Sequence, residues 1–361
     1  MKLRFIARDP GAANIIAALI RAGVSPFDFD LWTLPKALSV FKRLNITCSM
    51  KNFSDSFSEI EIRNAWKEDP ATLLVTGTSH YSAFESIFWD LARAQGGSSL
   101  ALLDSWYNLE PRFRHSKPDY VGAIDKKQME ELEAIGFAKS QIIWSGHPYL
   151  SMLMKNKAQL QQNADIAEND SDAFKVLYVS ESITKDVKSG SNAAYGFNEF
   201  EVFDLILEAA TILAKKNQRI SIMIKLHPYE DPTEFERKIA NIPLLPGVEI
   251  HIGSSTSDPL DLVLWSDMVI GISSMLLIEA SVLGKPILSL QPNLIREDTF
   301  ILTSREYIPR LNTKKTILDA LSKNFSSQTE RDHLVKSAQR FLDTFSKTST
   351  SVIEDWIKQH Q

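Results

Sequence analysis

An α/β fold of two doubly wound parallel units is what this 361-residue chain predicts, on three observations. Short apolar runs alternate with helical patterns through residues 1–155; the sequence turns polar over 156–173; and the alternation restarts and continues through 174–329. Strands that alternate with helices pair in parallel, because each crossover helix returns the chain to the same end of the sheet and covers one face of it. At 44% hydrophobic residues the chain can fill two cores.

Taken in order, residues 3–7 are an apolar strand, and after "DPG" residues 12–21 form a helix of small residues. "DFDLWTL" and "TLLVTGT" follow as strands, then a helix over 81–95, "SSLALLD", "YVGAID", a helix near 127–135 and "QIIWSGHP". "KNKAQLQQNADIAENDSD" is polar and weakly periodic, and reads as a linker between the two domains. "FKVLYVSE" restarts the pattern, followed by a helix over 200–216, "ISIMIKLHP", a helix near 233–240, "GVEIHIG", "DPLDLVLWSD", "MVIGISS", a helix through residue 280 and "KPILSLQP". Residues 330–361 are amphipathic and helical, suited to packing back across both domains.

Composition narrows the function. A net charge of −5 gives no basic field to hold nucleic acid, so none is expected as a partner, and any anion has to be gripped locally. Cys48 is the only cysteine, which excludes a disulfide framework and a cysteine-based zinc cluster and fits a reducing compartment. The start of the chain lacks the apolar core of a signal peptide and no stretch reaches the length of a membrane span. A cytoplasmic location is therefore expected, with peripheral membrane association left open. "DPGAAN" has one glycine where a dinucleotide fingerprint needs three, and no lysine-bearing phosphate loop is present, which argues against NAD binding and ATP hydrolysis.

In open α/β sheets ligands bind outside the carboxyl ends of the strands, where helix N-termini converge. Residues directly after apolar runs are therefore the candidates: Asp9, residues 76–79, Asp104, Ser180, Glu181, His227, Ser273 and Ser274. His227 is followed by Pro228, which stiffens the loop and gives the imidazole a fixed direction, and Lys225 lies two residues before it. A structural histidine closing a strand is the alternative. Ser273 and Ser274 stand where a strand turns into a helix, so hydroxyls and backbone N–H groups converge there with the helix dipole, as an anion site requires. Glu279 follows on that helix, where it can accept hydrogen bonds from a ribose or a base, or serve as a surface carboxylate or cap partner.

"KLHP" followed by "SDMVIGISSMLLIEASVLGKPILSL" resembles the nucleotide-binding half of GT-B glycosyltransferases, particularly bacterial transferases of capsule, teichoic-acid and sialic-acid-type sugars. The resemblance implies a GT-B fold, two Rossmann-like domains facing across a cleft. It also implies a donor phosphate held by His227, Pro228, Ser273 and Ser274, with Glu279 on the donor sugar or ribose. CDP-glycerol glycerophosphotransferases share these motifs. UDP-N-acetylglucosamine 2-epimerases share the fold, "SGHP" and "LHP", but their phosphate loop has serine followed by two glycines where this chain has "ISSM". His147, in the first His-Pro pair, reads as part of the crossover out of the first domain.

The N-terminal half then has to supply the acceptor side. Asp9 precedes Gly11, whose missing Cβ lets a ligand or the opposing domain come close to the backbone. "DPG" is similar to the acidic residue near a glycine that deprotonates the acceptor in sialyltransferase-like enzymes, without its usual second carboxylate. The other reading of Asp9 is simply the cap of the helix after Pro10. Asp104 is the rival base, with Trp106, Tyr107, Arg112 and Arg114 behind it as a wall for a sugar ring and its acidic groups. Ser180 and Glu181 join Lys225 on the donor side. No Asp-x-Asp pair stands beside the nucleotide motifs and "SDPLD" reads as a helix cap, so no metal and no cofactor beyond the nucleotide-sugar co-substrate is expected. The expected function is a glycosyltransferase moving a CMP-linked nonulosonic acid or Kdo-like sugar to a glycan, lipid-linked or protein acceptor. A CDP-polyol phosphotransferase, an epimerase and a non-catalytic nucleotide-sugar sensor are the alternatives.

Overall fold

The computed structural model describes residues 2–23, 28–79, 82–165, 172–188, 195–243, 246–254, 257–344 and 350–360. The chain divides into two compact units, Met1–Met152 with Asp343–Gln361, and Leu153–Leu342.

Among the described residues the first unit carries seven strands: β1 (Leu3–Ala7), β2 (Phe29–Thr33), β3 (Ser49–Asn52), β4 (Leu73–Thr76), β5 (Ser98–Leu102), β6 (Tyr120–Ala123) and β7 (Ile142–Trp144). They lie in the order β3-β2-β1-β4-β5-β6-β7, every pair parallel. Strands β1 and β4 are buried along their whole length, which is why they read as unbroken apolar runs rather than alternating ones. The order reverses between β1 and β4, so the connections leaving these two strands diverge and open a crevice at their carboxyl ends. The helix Pro10–Arg21 leaves β1 there and packs closely: a Cβ added to Gly77 after β4 would lie 2.1 Å from the Cβ of Ala12. Small residues on the helix and a glycine after β4 are what that approach requires.

The second unit carries β8 (Phe174–Val179), β9 (Ile220–Lys225), β10 (Val248–Ile252), β11 (Met268–Gly271) and β12 (Ile287–Ser289), in the order β10-β9-β8-β11-β12 and again all parallel. Its reversal lies between β8 and β11, and the core gathers Tyr178, Phe203, Phe235 and Ile270 around the sheet.

The helices Pro35–Arg43, Glu59–Glu68 and Lys314–Ser326 have no counterpart in the sequence reading, and further segments differ from it. A helix runs over Pro148–Asp165, into the stretch 156–173 read as a linker; its polar, lysine- and glutamine-rich sequence still supports helix by propensity, and residues 166–171 lie outside those described. Strand β3 has no counterpart in the sequence reading because "SMKN" is an edge strand with no fully buried residue. The C-terminal amphipathic stretch is two helices, Gln328–Leu342 in the second unit and Thr350–Gln359 in the first, where Trp356 meets Tyr120 edge-on at 5.6 Å. "DPLDLVLWSD" is the helix Pro259–Trp265, capped by Asp258 as the sequence suggests.

Candidate functional site

In the first unit the crevice between β1 and β4 gathers the acidic residues. Asp9 is the N-cap residue of the helix Pro10–Arg21, yet its side chain makes no capping hydrogen bond. Its carboxylate instead pairs with Arg8 Nη1 at 2.8 and 3.0 Å and accepts from Ser79 Oγ at 2.9 Å. Capping therefore does not account for Asp9. Its side chain stays 34% exposed, open enough to reach a substrate.

Ser79 Oγ also lies 3.0 Å from Glu85 Oε1. Glu85 is 1% exposed, and burial, reinforced by the charge of Asp9, pushes its carboxyl up to about 7. Sequence reasoning missed this second carboxylate. The signal was present: an acid among Phe84, Ile87, Phe88 and Trp89, on a turn whose neighbours are all core.

Asp104 follows β5 and is held differently. Arg112, only 6% exposed, donates to Asp104 Oδ1 at 2.8 Å and also to Thr78 O, Thr78 Oγ1 and Ser105 Oγ at 2.9, 2.7 and 2.6 Å. The place beside Gly11 expected for a ligand or the opposing domain is filled by Asp104 itself, since a Cβ on Gly11 would lie 2.1 Å from Asp104 Oδ2. Trp106 is not a sugar wall: it is buried, donates to Asp125 Oδ2 at 2.7 Å and stacks on His147 at 6.0 Å. His80, which follows Ser79 in sequence and is a third possible base should neither carboxylate serve, lies outside the described residues.

His147 anchors this corner. Its Nε2 lies 3.3 Å from Asp104 O, which can only accept, and its Nδ1 accepts from Leu150 N at 3.3 Å, so the two bonds place the proton on Nε2. The ring is 2% exposed and burial pushes its pKa down to about 4. Because that value lies below the ordinary 6.5, the unfolded chain takes up the proton first, and stability is lost as pH falls from about 6.5 through 4. Urea denaturation should show this loss, on the order of 3 kcal/mol at 1.4 kcal/mol per pH unit, and His147→Gln should lack that acid-side slope. Equal slopes in both proteins would mean His147 titrates as it does in the unfolded chain.

In the second unit the ends of β8, β9 and β11 come together through their side chains. Ser273 donates to Glu181 through both its backbone N–H and its hydroxyl, the latter at 2.8 Å. The anion at the start of the helix Met275–Val282 is thus the protein's own Glu181 carboxylate, and Ser274 Oγ caps the helix by accepting from Leu276 N at 3.2 Å. Burial still raises Glu181 above the usual carboxylate range, against the lowering effect of these donors.

His227 N donates to Glu230, and His227 Nδ1 accepts from Tyr229 N at 3.3 Å, so the His-Pro turn is closed on itself. Glu230 in turn accepts from Ser180 Oγ at 2.6 Å, and burial pushes its carboxyl up to about 7. Burial holds the Lys225 ammonium below its usual range, with the charge of Glu230 working the other way. Pro228 is exposed and Glu279 is half-buried on its helix. Glu230 was overlooked in sequence although it stands three residues beyond His227. Among the described residues no group of three or more His, Cys, Asp or Glu is placed to hold a metal ion, and no helix is long and apolar enough to cross a membrane.

No protein-family model and no curated protein matches the chain. Solved structures do. A UDP-GlcNAc 2-epimerase from Neisseria meningitidis bound to UDP-GlcNAc superposes with a TM-score of 0.67 at 13% identity, covering 95% of this chain and 99% of that one. The UDP-GlcNAc 2-epimerase from Methanocaldococcus jannaschii gives 0.65 at 14% identity, over 95% and 99%. The wall teichoic acid polymerase TagF, in a structure with CDPG, gives 0.61 at 11% identity, over 99% and 88%. At such identities the likeness shows the fold, a two-domain α/β GT-B fold.

Proposed function

We propose that this chain is a nucleotide-sugar-dependent transferase in which the second unit binds the donor nucleotide and the first supplies the base. The observation that carries the reading is Asp9, a carboxylate at the topological switch point that leaves its helix uncapped and is held instead by Arg8 and Ser79. In this reading the acceptor hydroxyl gives its proton to Asp9 as its oxygen attacks the anomeric carbon. The anomeric C–O bond breaks and the electron pair leaves with the nucleotide phosphate.

On the donor side, Ser273 and the start of its helix already accept one carboxylate, which supports anion binding there. A donor phosphate at this place takes over the donors that Glu181 now uses, while Lys225 supplies charge and His227, whose Nδ1 accepts from Tyr229 N, donates a hydrogen bond through Nε2. We assign a CMP-linked nonulosonic acid or Kdo-like sugar as donor, whose single phosphate needs no bridging metal, and a surface glycan or glycoprotein hydroxyl as acceptor. The UDP-GlcNAc and CDPG of the structural neighbours keep UDP- and CDP-linked donors as the competing choices.

Titrating CMP, CDP, UDP and GDP against the wild type, His227→Ala and Ser273→Ala/Ser274→Ala tests the donor assignment. Each variant is expected to lose at least about tenfold in nucleotide affinity, the loss of one or two charge-assisted hydrogen bonds, while remaining folded; the serine pair also loses its helix cap, about 1 kcal/mol, and melts somewhat lower. Undiminished binding in both variants would remove the phosphate site from these residues. A second reading, an epimerase acting on a nucleotide sugar without an acceptor, is favoured by the fold of the Neisseria and Methanocaldococcus enzymes, and is separated from the first by dependence on an acceptor.

A further inference from the structure

Ser79 Oγ stands 2.9 Å from Asp9 Oδ2 and 3.0 Å from Glu85 Oε1. A serine hydroxyl carries one hydrogen, so it can donate to one of these carboxyls and has to accept from the other, and an acceptor needs a donor opposite. Two full hydrogen bonds at this hydroxyl therefore require one of the two carboxyls to be protonated; with both ionised, the single hydrogen is shared in a weaker three-centre bond. Arg8 decides between them, since its Nη1 reaches both oxygens of Asp9 and pairs with the ionised form. Burial and the charge of Asp9 both favour the neutral form of Glu85; a backbone hydrogen bond, the Ser79 hydroxyl and the charge of Arg8 oppose them, and the net effect is upward. Among the described residues, Asp9 and Arg8 are the charged groups that act on Glu85.

We propose that Glu85 and Ser79 position Asp9 for proton abstraction: the Glu85 carboxyl donates its proton to Ser79 Oγ, which commits the single Ser79 hydrogen to Asp9 Oδ2. The inference rests on Asp9 being the base. Glu85 acts through Ser79 and is a positioning residue. When Glu85 loses its proton, one hydroxyl hydrogen faces two carboxylates, and Asp9 loses its fixed partner.

The test compares the full-length wild type with Glu85→Gln and Ser79→Ala. The side-chain amide introduced by Glu85→Gln donates to Ser79 Oγ at every pH, so this variant keeps the donor that the wild type loses on ionisation. In the wild type the folded carboxyl titrates near 7, above the ordinary 4.5, so the folded state holds the extra proton and loses stability as pH rises through that window. The urea midpoint of Glu85→Gln is expected to gain on that of the wild type between about pH 5 and about pH 8. In turnover, the wild type is expected to lose activity above about pH 7, a limb that Glu85→Gln lacks, and Ser79→Ala to lower kcat at every pH with an unchanged donor KM.

Urea midpoints that run parallel across this range overturn the proposal, whether or not Asp9 is the base. So does a Glu85→Gln variant whose turnover falls equally at every pH. Normal turnover in Asp9→Asn, read on a different protein, overturns the base assignment instead. If Glu85→Gln does not fold, the infrared carboxylic-acid band decides, measured in Glu230→Gln because the Glu230 carboxyl is also pushed up to about 7: a band that titrates near pH 7 there supports the relay, and its absence throughout overturns it.

Discussion

Asp9→Asn is expected to lower turnover by at least ~10²-fold while donor affinity and melting temperature stay at wild-type values. Asparagine keeps an oxygen for Ser79 and removes the basicity together with the charge that pairs with Arg8, a partly exposed pair of small weight in stability. The usual structural explanation for an aspartate in this position is helix capping, and it predicts almost no change, because asparagine caps as well as aspartate. It also fails on geometry, since the Asp9 side chain makes no capping bond. Asp104→Asn measured beside it decides between the two carboxylates. Asp104 is 16% exposed, pinned by Arg112 and pressed against Gly11, so it is expected to lose stability before it loses turnover.

Arg112→Met is expected to cost about 3 kcal/mol of unfolding free energy, the lower end of the range for breaking a buried ion pair because Asp104 keeps some contact with water. The substitution preserves bulk but leaves the Asp104 carboxylate, Thr78 and Ser105 without the donor that ties the ends of β4 and β5 together. Urea denaturation measures the loss. Adding Asp104→Asn should recover part of it, because the remaining charge is then gone. A cost below about 1 kcal/mol would mean that the pair is solvated and does not hold these strand ends.

Much of the fold was legible because both sheets are parallel and covered. Strands such as β1, β4 and β11 are buried on both faces and appear in sequence as continuous apolar runs. Where burial is partial the signal fades. Strand β3 is a four-residue edge with no apolar run, and the part of the helix Pro148–Asp165 beyond residue 155 reads as polar linker from its composition. Candidate site residues were legible for a topological reason: Asp9, Asp104, Ser180, His227 and Ser273 each follow a strand, and that rule needs no knowledge of contacts. The pairings among them were not. Ser273 meets Glu181 across 92 residues and Ser79 meets Asp9 across 70, and neither separation leaves a local pattern. Glu85 escaped because it sits on a helix rather than at a strand end, although an acid surrounded by buried aromatics marks an unusual environment.

Transfer of a sugar from a nucleotide donor to an acceptor hydroxyl is tested most directly by nuclear magnetic resonance of the donor. The protein is incubated with CMP-, CDP- and UDP-linked sugars, with and without a glycan acceptor, and the anomeric and phosphorus signals are followed. A transferase of this kind is expected to consume a CMP-linked acidic sugar when acceptor is present, with nucleotide release matched by a new glycosidic signal. Inversion at a ring carbon of a UDP-linked sugar without acceptor, or no consumption of any donor, would contradict it.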